Sequence, residues 1–175
     1  VAIVAAETFL GDEDKPLDRD TVAEGLSRVT SPGRAELVRT GPAVVVDGAH
    51  NPDAARVLAD TITEAFDFDF TVIVIGMLAD KDVHGVLDEL HRTADAFVVT
   101  APVSDRALDA ETLAEAAREW VDEDAVTVAP DLNAALMTAF DLVEGSGAQR
   151  PGIIVTGSLY TVAEARLLLG RGDEA

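Results

Sequence analysis

Apolar runs recur along the chain at Ala43 to Val46, Phe70 to Ile75, Ala96 to Thr100, Ala125 to Val128 and Ile153 to Val155, with little polar alternation inside them. Short runs of β-branched residues without alternation predict strands buried on both faces, as in a parallel sheet covered by helices. Each run is followed by a stretch with helical spacing. In the first such stretch Ala54, Val57, Leu58, Thr61, Ile62 and Ala65 share one side, while Asp53, Arg56, Asp60 and Glu64 take the other. The second carries Val83, Val86, Leu87 and Leu90, and the third Leu113, Ala116, Ala117 and Trp120. Strand-helix units repeated in this way and joined by right-handed crossovers predict an α/β fold. Its sheet is doubly wound, Rossmann-like and mainly parallel, with about five to six strands and helices on both faces. A further short run at Ala35 to Arg39 fits an edge strand.

The region before Arg34 reads differently. Residues 1–10 have the pattern of the last turns of a helix stopped by Gly11, and residues 12–20 form a charged connection. Thr21 to Val29 fits a short helix capped by Asp20 or Thr21, and Pro32-Gly33 marks a turn. The expected division is residues 1–30 as the end of a preceding domain with its linker, 31–170 as the α/β domain, and 171–175 as a tail. A chain of 175 residues can bury one substantial α/β core and not two.

Charge narrows the partners. The chain has 33 acidic residues against 13 basic ones, a formal net charge of −20, and its only lysines are Lys15 and Lys81. Such a surface repels nucleic acid and anionic membranes. The acids are interspersed with apolar runs, so the pattern is that of a folded, acid-coated protein from a salt-accumulating source. Absence of cysteine excludes a disulfide framework, a thiolate metal site and a thiol nucleophile. No apolar stretch approaches membrane-spanning length, and the chain reads as soluble and cytoplasmic.

Polar clusters fall just outside the predicted strands, where open parallel sheets bind their ligands. Val44 to Val46 gives way to Asp47, Gly48, Ala49, His50, Asn51 and Pro52. Pro52 suits the first turn of a helix and Asn51 its N-cap, while Asp47 and His50 leave the strand at the binding edge. Common turn and capping chemistry accounts for the same residues equally well. Upstream, Ser31-Pro32-Gly33-Arg34 presents an arginine whose planar fork suits a phosphate or a stacked base, or a surface pair with Glu36. After the second strand come Gly76 and Asp80-Lys81-Asp82, in which Lys81 offers a point charge unless the aspartates hold it in a surface pair. Thr100 to Ala107 contributes Arg106, as a site residue or a loop anchor. After the last strand, Thr156-Gly157-Ser158-Leu159-Tyr160 lets a ligand approach the backbone closely, although a strand-to-helix turn explains it too. His84 and His91 stand too far apart for a local chelate, and His50 with Asp47 supplies at most two ligands, so no metal site is expected. No phosphate-binding Gly-x-x-x-x-Gly-Lys-[Ser/Thr] loop, dinucleotide Gly-x-Gly-x-x-Gly or hydrolase Gly-x-Ser-x-Gly is present.

In order, Pro32-Gly33-Arg34, Asp47 to Pro52, Gly76 with Asp80-Lys81-Asp82, Arg106, and Thr156 to Tyr160 resemble the C-terminal domain of folylpolyglutamate synthase and dihydrofolate synthase, within the Mur ligase superfamily. The resemblance spans roughly residues 1–170. It implies an ATP-dependent ligase that joins L-glutamate to a folate or pteroate carboxylate through an acyl phosphate. ATP and Mg2+ would be held mainly by a central domain, of which residues 1–30 resemble the end. Closing over that N-terminal ATPase domain, the present domain would help bind glutamate and be inactive alone. By the same resemblance Arg34 contacts the nucleotide phosphates or ribose, and Asp47 the nucleotide or the glutamate amine. His50, with Asn51 beside it, places the glutamate, Ser158 touches its carboxylate, and Lys81 and Arg106 support the pocket. Some relatives are fused to dihydropteroate synthase.

Two other readings compete. The corresponding domain of a cell-wall Mur peptide ligase would share the fold with a different pattern around Asp47 and His50. A flavodoxin-like signalling or interaction domain would need an acidic pair after the first strand and a lysine after the last, and neither is present.

Overall fold

The computed structural model describes residues 2–10 and 17–170. They fall into two compact units, one ending at Ser31 and one starting at Pro32. The first contains helices α1 (Ala2–Leu10) and α2 (Arg19–Ser27). Helix α2 starts two residues before the expected Thr21, because Asp18 rather than Asp20 or Thr21 is the N-cap. The Asp18 carboxylate accepts hydrogen bonds from both the Thr21 amide and the Thr21 hydroxyl, each at 2.9 Å, and these bonds hold its pKa below the usual carboxylate value. Asp20, already inside the first turn, cannot fold back on that turn's amides. The expected stop at Gly11, most of the charged connection and the 171–175 tail lie outside the described residues.

The second unit carries the sheet. Its strands are β1 (Glu36–Thr40), β2 (Ala43–Val46), β3 (Phe70–Ile75), β4 (Ala96–Val99), β5 (Val126–Val128) and β6 (Pro151–Thr156). They lie in the order β1-β2-β6-β3-β4-β5, all parallel except β1, which pairs antiparallel with β2 at the edge. Helices α3 (Pro52–Ala65), α4 (Val83–Leu90) and α5 (Ala110–Ala117) cover one face, packing on Val45, Ile73, Ile75, Phe97 and Ile154. Helices α6 (Leu132–Gly145) and α7 (Leu159–Leu168) cover the other, against Val44, Val46, Val72, Val74, Val98 and Ile153. Alternate residues of β2, β3, β4 and β6 thus feed two separate cores, which is why these strands carry little polar alternation. Each fully buried aliphatic or aromatic side chain contributes on the order of 1.5–3 kcal/mol.

Two details depart from the periodicity. On α3 the buried residues are Ala55, Leu58, Ala59 and Ile62, whereas Val57 is 55% exposed and Ala65 lies at the surface. The stripe is rotated toward the alanines because α3 sits against both the sheet and α4, and small residues allow the closer approach. Trp120 follows α5 rather than lying on it, and its ring stacks on His91 with centroids 5.0 Å apart.

Insertion of β6 between β2 and β3 creates the switch point of the sheet. From the adjacent ends of β2 and β6 the chain leaves to opposite faces, as α3 and α7 respectively. A crevice at such a point is where open α/β sheets place their ligands.

Candidate functional site

At the carboxyl edge the strands continue to pair after their regular ends. The Asp47 amide donates to the Val155 carbonyl (3.0 Å), Gly157 to Ala49 (3.0 Å) and Gly76 to Thr156 (3.2 Å). The loops after β2, β6 and β3 are therefore one stitched surface. Gly157 has φ +97°, and a Cβ there would come within 2.7 Å of the Gly76 carbonyl oxygen. Only glycine meets both demands.

Asp47 organises the near side. One carboxylate oxygen accepts from the Ala35 amide at 2.7 Å and the other from the Ala49 amide at 2.8 Å. The Gly48 amide donates back to the Gly33 carbonyl at 2.9 Å, and the Gly33 amide to the Glu36 carboxylate at 2.7 Å. This clasp fixes Gly33-Arg34-Ala35 against the turn that follows β2. Ala35 is held at φ +43°, a left-handed conformation that costs a non-glycine residue about 1 kcal/mol.

Two recesses flank the Asp47 turn. The smaller, about 170 Å³, is lined by His50, Lys81, Arg106, Ser158 and Tyr160, with Leu78, Gly157 and Leu159 as its apolar parts. His50 Nδ1 lies 2.8 Å from the Gly48 carbonyl oxygen, and an oxygen that only accepts requires Nδ1 to carry the proton. In the neutral ring Nε2 is then the free acceptor. Ser158 is 3% exposed and caps α7, its Oγ accepting from the Tyr160 amide at 3.1 Å. Its hydroxyl hydrogen remains for a ligand.

Opposite, Asp80 bridges Arg106 at 2.7 Å and Lys81 at 3.1 Å, and these two bonds, Arg106 first, hold its pKa down at about 2. The loops carrying these residues are joined by the Ala79 amide donating to the Arg106 carbonyl at 2.9 Å. Lys81 thus sits in the pair with Asp80 and lines the recess as well. With two cations against one anion, and the positive end of α7 beside them, the recess favours a carboxylate within a chain of net charge −20.

The larger recess, about 530 Å³, runs between Arg34 and the exposed side of α3, lined by Asp47, Asn51, Ala54, Val57 and Thr61 among others. Val57, displaced from the core by the rotation of α3, forms part of its apolar wall. The Arg34 side chain is exposed, and it makes no hydrogen bond or ion pair among the described residues, so the alternative reading of a surface pair with Glu36 is not met. Glu36 instead accepts from Gly33 and from Arg166 at 3.1 Å. Asn51 caps α3 by accepting from the Ala54 amide at 2.9 Å.

All seven residues singled out in the sequence lie at the carboxyl edge, but the turn separates them. Arg34, Asp47 and Asn51 border the larger recess, and His50, Lys81, Arg106 and Ser158 the smaller. Leu78, Asp80 and Tyr160 are additional. Tyr160 stood within a noted motif without a role of its own, and Asp80 within a noted triplet as a partner able to hold Lys81 in a surface pair, which it does. Among the described residues no group of His, Asp or Glu is arranged to hold a metal ion, and no helix is long and apolar enough to cross a membrane.

A doubly wound sheet with a larger and a smaller recess at its switch point defines an α/β domain of the Rossmann-like class. Residues 33–159 match the family described as Mur ligase, glutamate ligase domain, and the chain belongs to that family. It is 43% identical over 184 residues to the dihydrofolate synthase/folylpolyglutamate synthase of Mycobacterium tuberculosis, covering 99% of this chain and 38% of that protein. The crystal structure of Mycobacterium tuberculosis folylpolyglutamate synthase complexed with ADP and AMPPCP superposes with a TM-score of 0.91 at 44% identity, over 97% of this chain and 38% of that one. A bifunctional folylpolyglutamate synthase/dihydrofolate synthase with Mn, AMPPNP and L-glutamate bound superposes with a TM-score of 0.75 at 30% identity, over 90% of this chain and 36% of that one. The chain thus spans well under half the length of these relatives.

Proposed function

We propose that this chain is the glutamate-handling domain of an ATP-dependent amide ligase that joins L-glutamate to a folate or pteroate carboxylate. The observation that carries this reading is the pair of unequal recesses on one clasped turn. A recess of about 170 Å³ is below the ~300 Å³ at which pockets for drug-sized molecules begin, and suits a single amino acid; one of about 530 Å³ falls within that range and suits part of a nucleotide. ATP, with a divalent cation such as Mg2+ held mainly by an N-terminal ATPase domain of the longer protein, supplies the phosphoryl group that activates the carboxylate.

The chain's own residues have distinct tasks. Arg34, exposed and without a partner among the described residues, neutralises nucleotide phosphate or meets the ribose. His50 orients the incoming amine through Nε2 and can take its proton. Lys81, Arg106, the Ser158 hydroxyl and the first turn of α7 receive glutamate carboxylate. Asn51 keeps α3 aligned beside them. Orienting the amine and excluding water from an activated acyl group both follow when this domain closes over a nucleotide-bearing partner domain.

The test is substrate dependence in the longer enzyme that carries this domain. ADP release requires L-glutamate and the folate or pteroate acid together, and falls at least tenfold when L-alanine replaces glutamate. ADP release indifferent to glutamate, or requiring a cell-wall peptide precursor instead, overturns the proposal.

A further inference from the structure

We infer that Arg166, which lines neither recess, is a positioning residue for the nucleotide: it engages the Glu36 carboxylate and so keeps Arg34 free to meet phosphate, a reading that rests on the role proposed above for Arg34.

An arginine and a glutamate on one short turn are natural partners, because the guanidinium fork fits a carboxylate. Here the two part company. Glu36 Oε2 accepts from the Gly33 amide at 2.7 Å and stands 3.1 Å from Nε of Arg166, a residue of α7 that lies 130 positions further along the chain. The Arg166 side chain is 14% exposed and that of Glu36 24%. A pair so far withdrawn from water is screened less than one at the surface, and it outcompetes a pairing with the exposed Arg34. Arg34 reaches the other way. A Cβ on Gly48 would stand 3.2 Å from Arg34 Nη1, which places the guanidinium over the turn after β2, at the border of the larger recess.

The backbone enforces this separation. Gly33 is buried at φ +71°, and a Cβ there would stand 2.8 Å from Val162 Cγ1, so the start of the turn is seated directly on α7. Val162 and Arg166 are four residues apart and share one face of that helix. The same face therefore takes Gly33 and, one helical turn on, the Glu36 carboxylate. On its other side the turn is tied to the loop after β2, with the Gly48 amide donating to the Gly33 carbonyl at 2.9 Å and the Ala35 amide to Asp47 at 2.7 Å. Glu36 is thus held toward α7 while Arg34 is held toward α3. Without Arg166, Glu36 is a part-buried anion stripped of its cation, which is a costly state. Arg34, two residues away along the chain, relieves it, and a guanidinium paired in that way meets phosphate only after the pair is broken.

The experiment measures the KM values for ATP and for L-glutamate in the longer enzyme that carries this domain. Arg166→Met raises the ATP KM about fivefold, the scale of one exposed ion pair that must be broken, while the glutamate KM stays within about twofold. The double variant Arg166→Met with Glu36→Gln restores the ATP KM to within about twofold of the wild type. Its neutral glutamine still accepts from the Gly33 amide but has no charge with which to capture Arg34. A merely structural role for Arg166 predicts the opposite, a double variant at least as impaired as the single one, and that result overturns the inference. Should Arg166→Met alone not fold, the double variant decides by itself: an ATP KM near the wild-type value supports the inference and a rise of tenfold overturns it. An unchanged ATP KM in Arg166→Met overturns the inference and leaves the proposed function standing. An unchanged ATP KM in Arg34→Ala overturns the role proposed for Arg34 and the inference with it.

Discussion

Gly157→Ala should damage the switch point in a calculable way. The new methyl would stand 2.7 Å from the Gly76 carbonyl oxygen, 2.9 Å from Ile75 Cγ1 and 3.0 Å from Met77 Cγ. The carbonyl cannot yield easily, because it accepts a buried hydrogen bond from Thr161 Oγ1 at 3.0 Å. The backbone compounds the clash, since φ of +97° lies outside the range an alanine adopts without strain. A strained backbone of this kind costs about 1–3 kcal/mol and overpacking about 1–3 kcal/mol, a combined destabilisation of roughly 2–6 kcal/mol. Urea unfolding in constant molar KCl reads it as a lower midpoint at unchanged slope. Gly145→Ala, in α6 with open space around its Cβ, is the control and should be neutral or stabilising by up to about 1 kcal/mol. If the two variants unfold at the same urea concentration, the close approach at Gly157 is not what holds β6 against the β3 loop.

Three further outcomes follow from the charges and caps. The net charge of −20 implies self-repulsion that molar salt screens to a Debye length of about 3 Å, so the melting temperature should rise by about 5 °C or more from dilute buffer to 2–3 M KCl; an unchanged value would refute it. Asp80 is held down to about 2 from 3.8 by Arg106 and Lys81, so its contribution to stability is present above its unfolded pKa and is lost as pH falls through the folded one. Carbon-detected NMR titration should place its carboxyl midpoint near 2 in the wild type and higher in Arg106→Ala, and an unshifted midpoint would contradict the bridge. Ser158→Ala removes the cap of α7 and should cost on the order of 1 kcal/mol in urea unfolding, with glutamate affinity falling at the same time if the hydroxyl also serves the ligand.

Much of this architecture was written into the chain in plain form. β2 and β3 coincide with the apolar runs Ala43 to Val46 and Phe70 to Ile75, because a strand buried on both faces is mostly apolar and lacks alternation. β1 falls within one residue of its expected span, and Asn51 and Pro52 start α3 where capping chemistry placed them. Long-range features were illegible for a physical reason. The clasp depends on Ala35, twelve positions before Asp47, and nothing about an alanine announces a positive φ. Arg106 reaches Asp80 across 26 positions, a pairing decided by how the loops after β3 and β4 lie together. Nor could the spacing of Asp47 and His50 say that their side chains serve opposite sides of one turn. The exposed Val57 misled the helical periodicity because an apolar residue bordering a recess looks, in sequence, like one bordering a core.

The central claim is the division of labour across the Asp47 turn, and kinetics of two single variants of the longer enzyme test it directly. The account predicts that His50→Ala raises the glutamate KM by well over tenfold while the ATP KM stays within about twofold, and that Arg34→Ala does the reverse. Equal changes in both constants for each variant, or unchanged glutamate kinetics in His50→Ala, would contradict it.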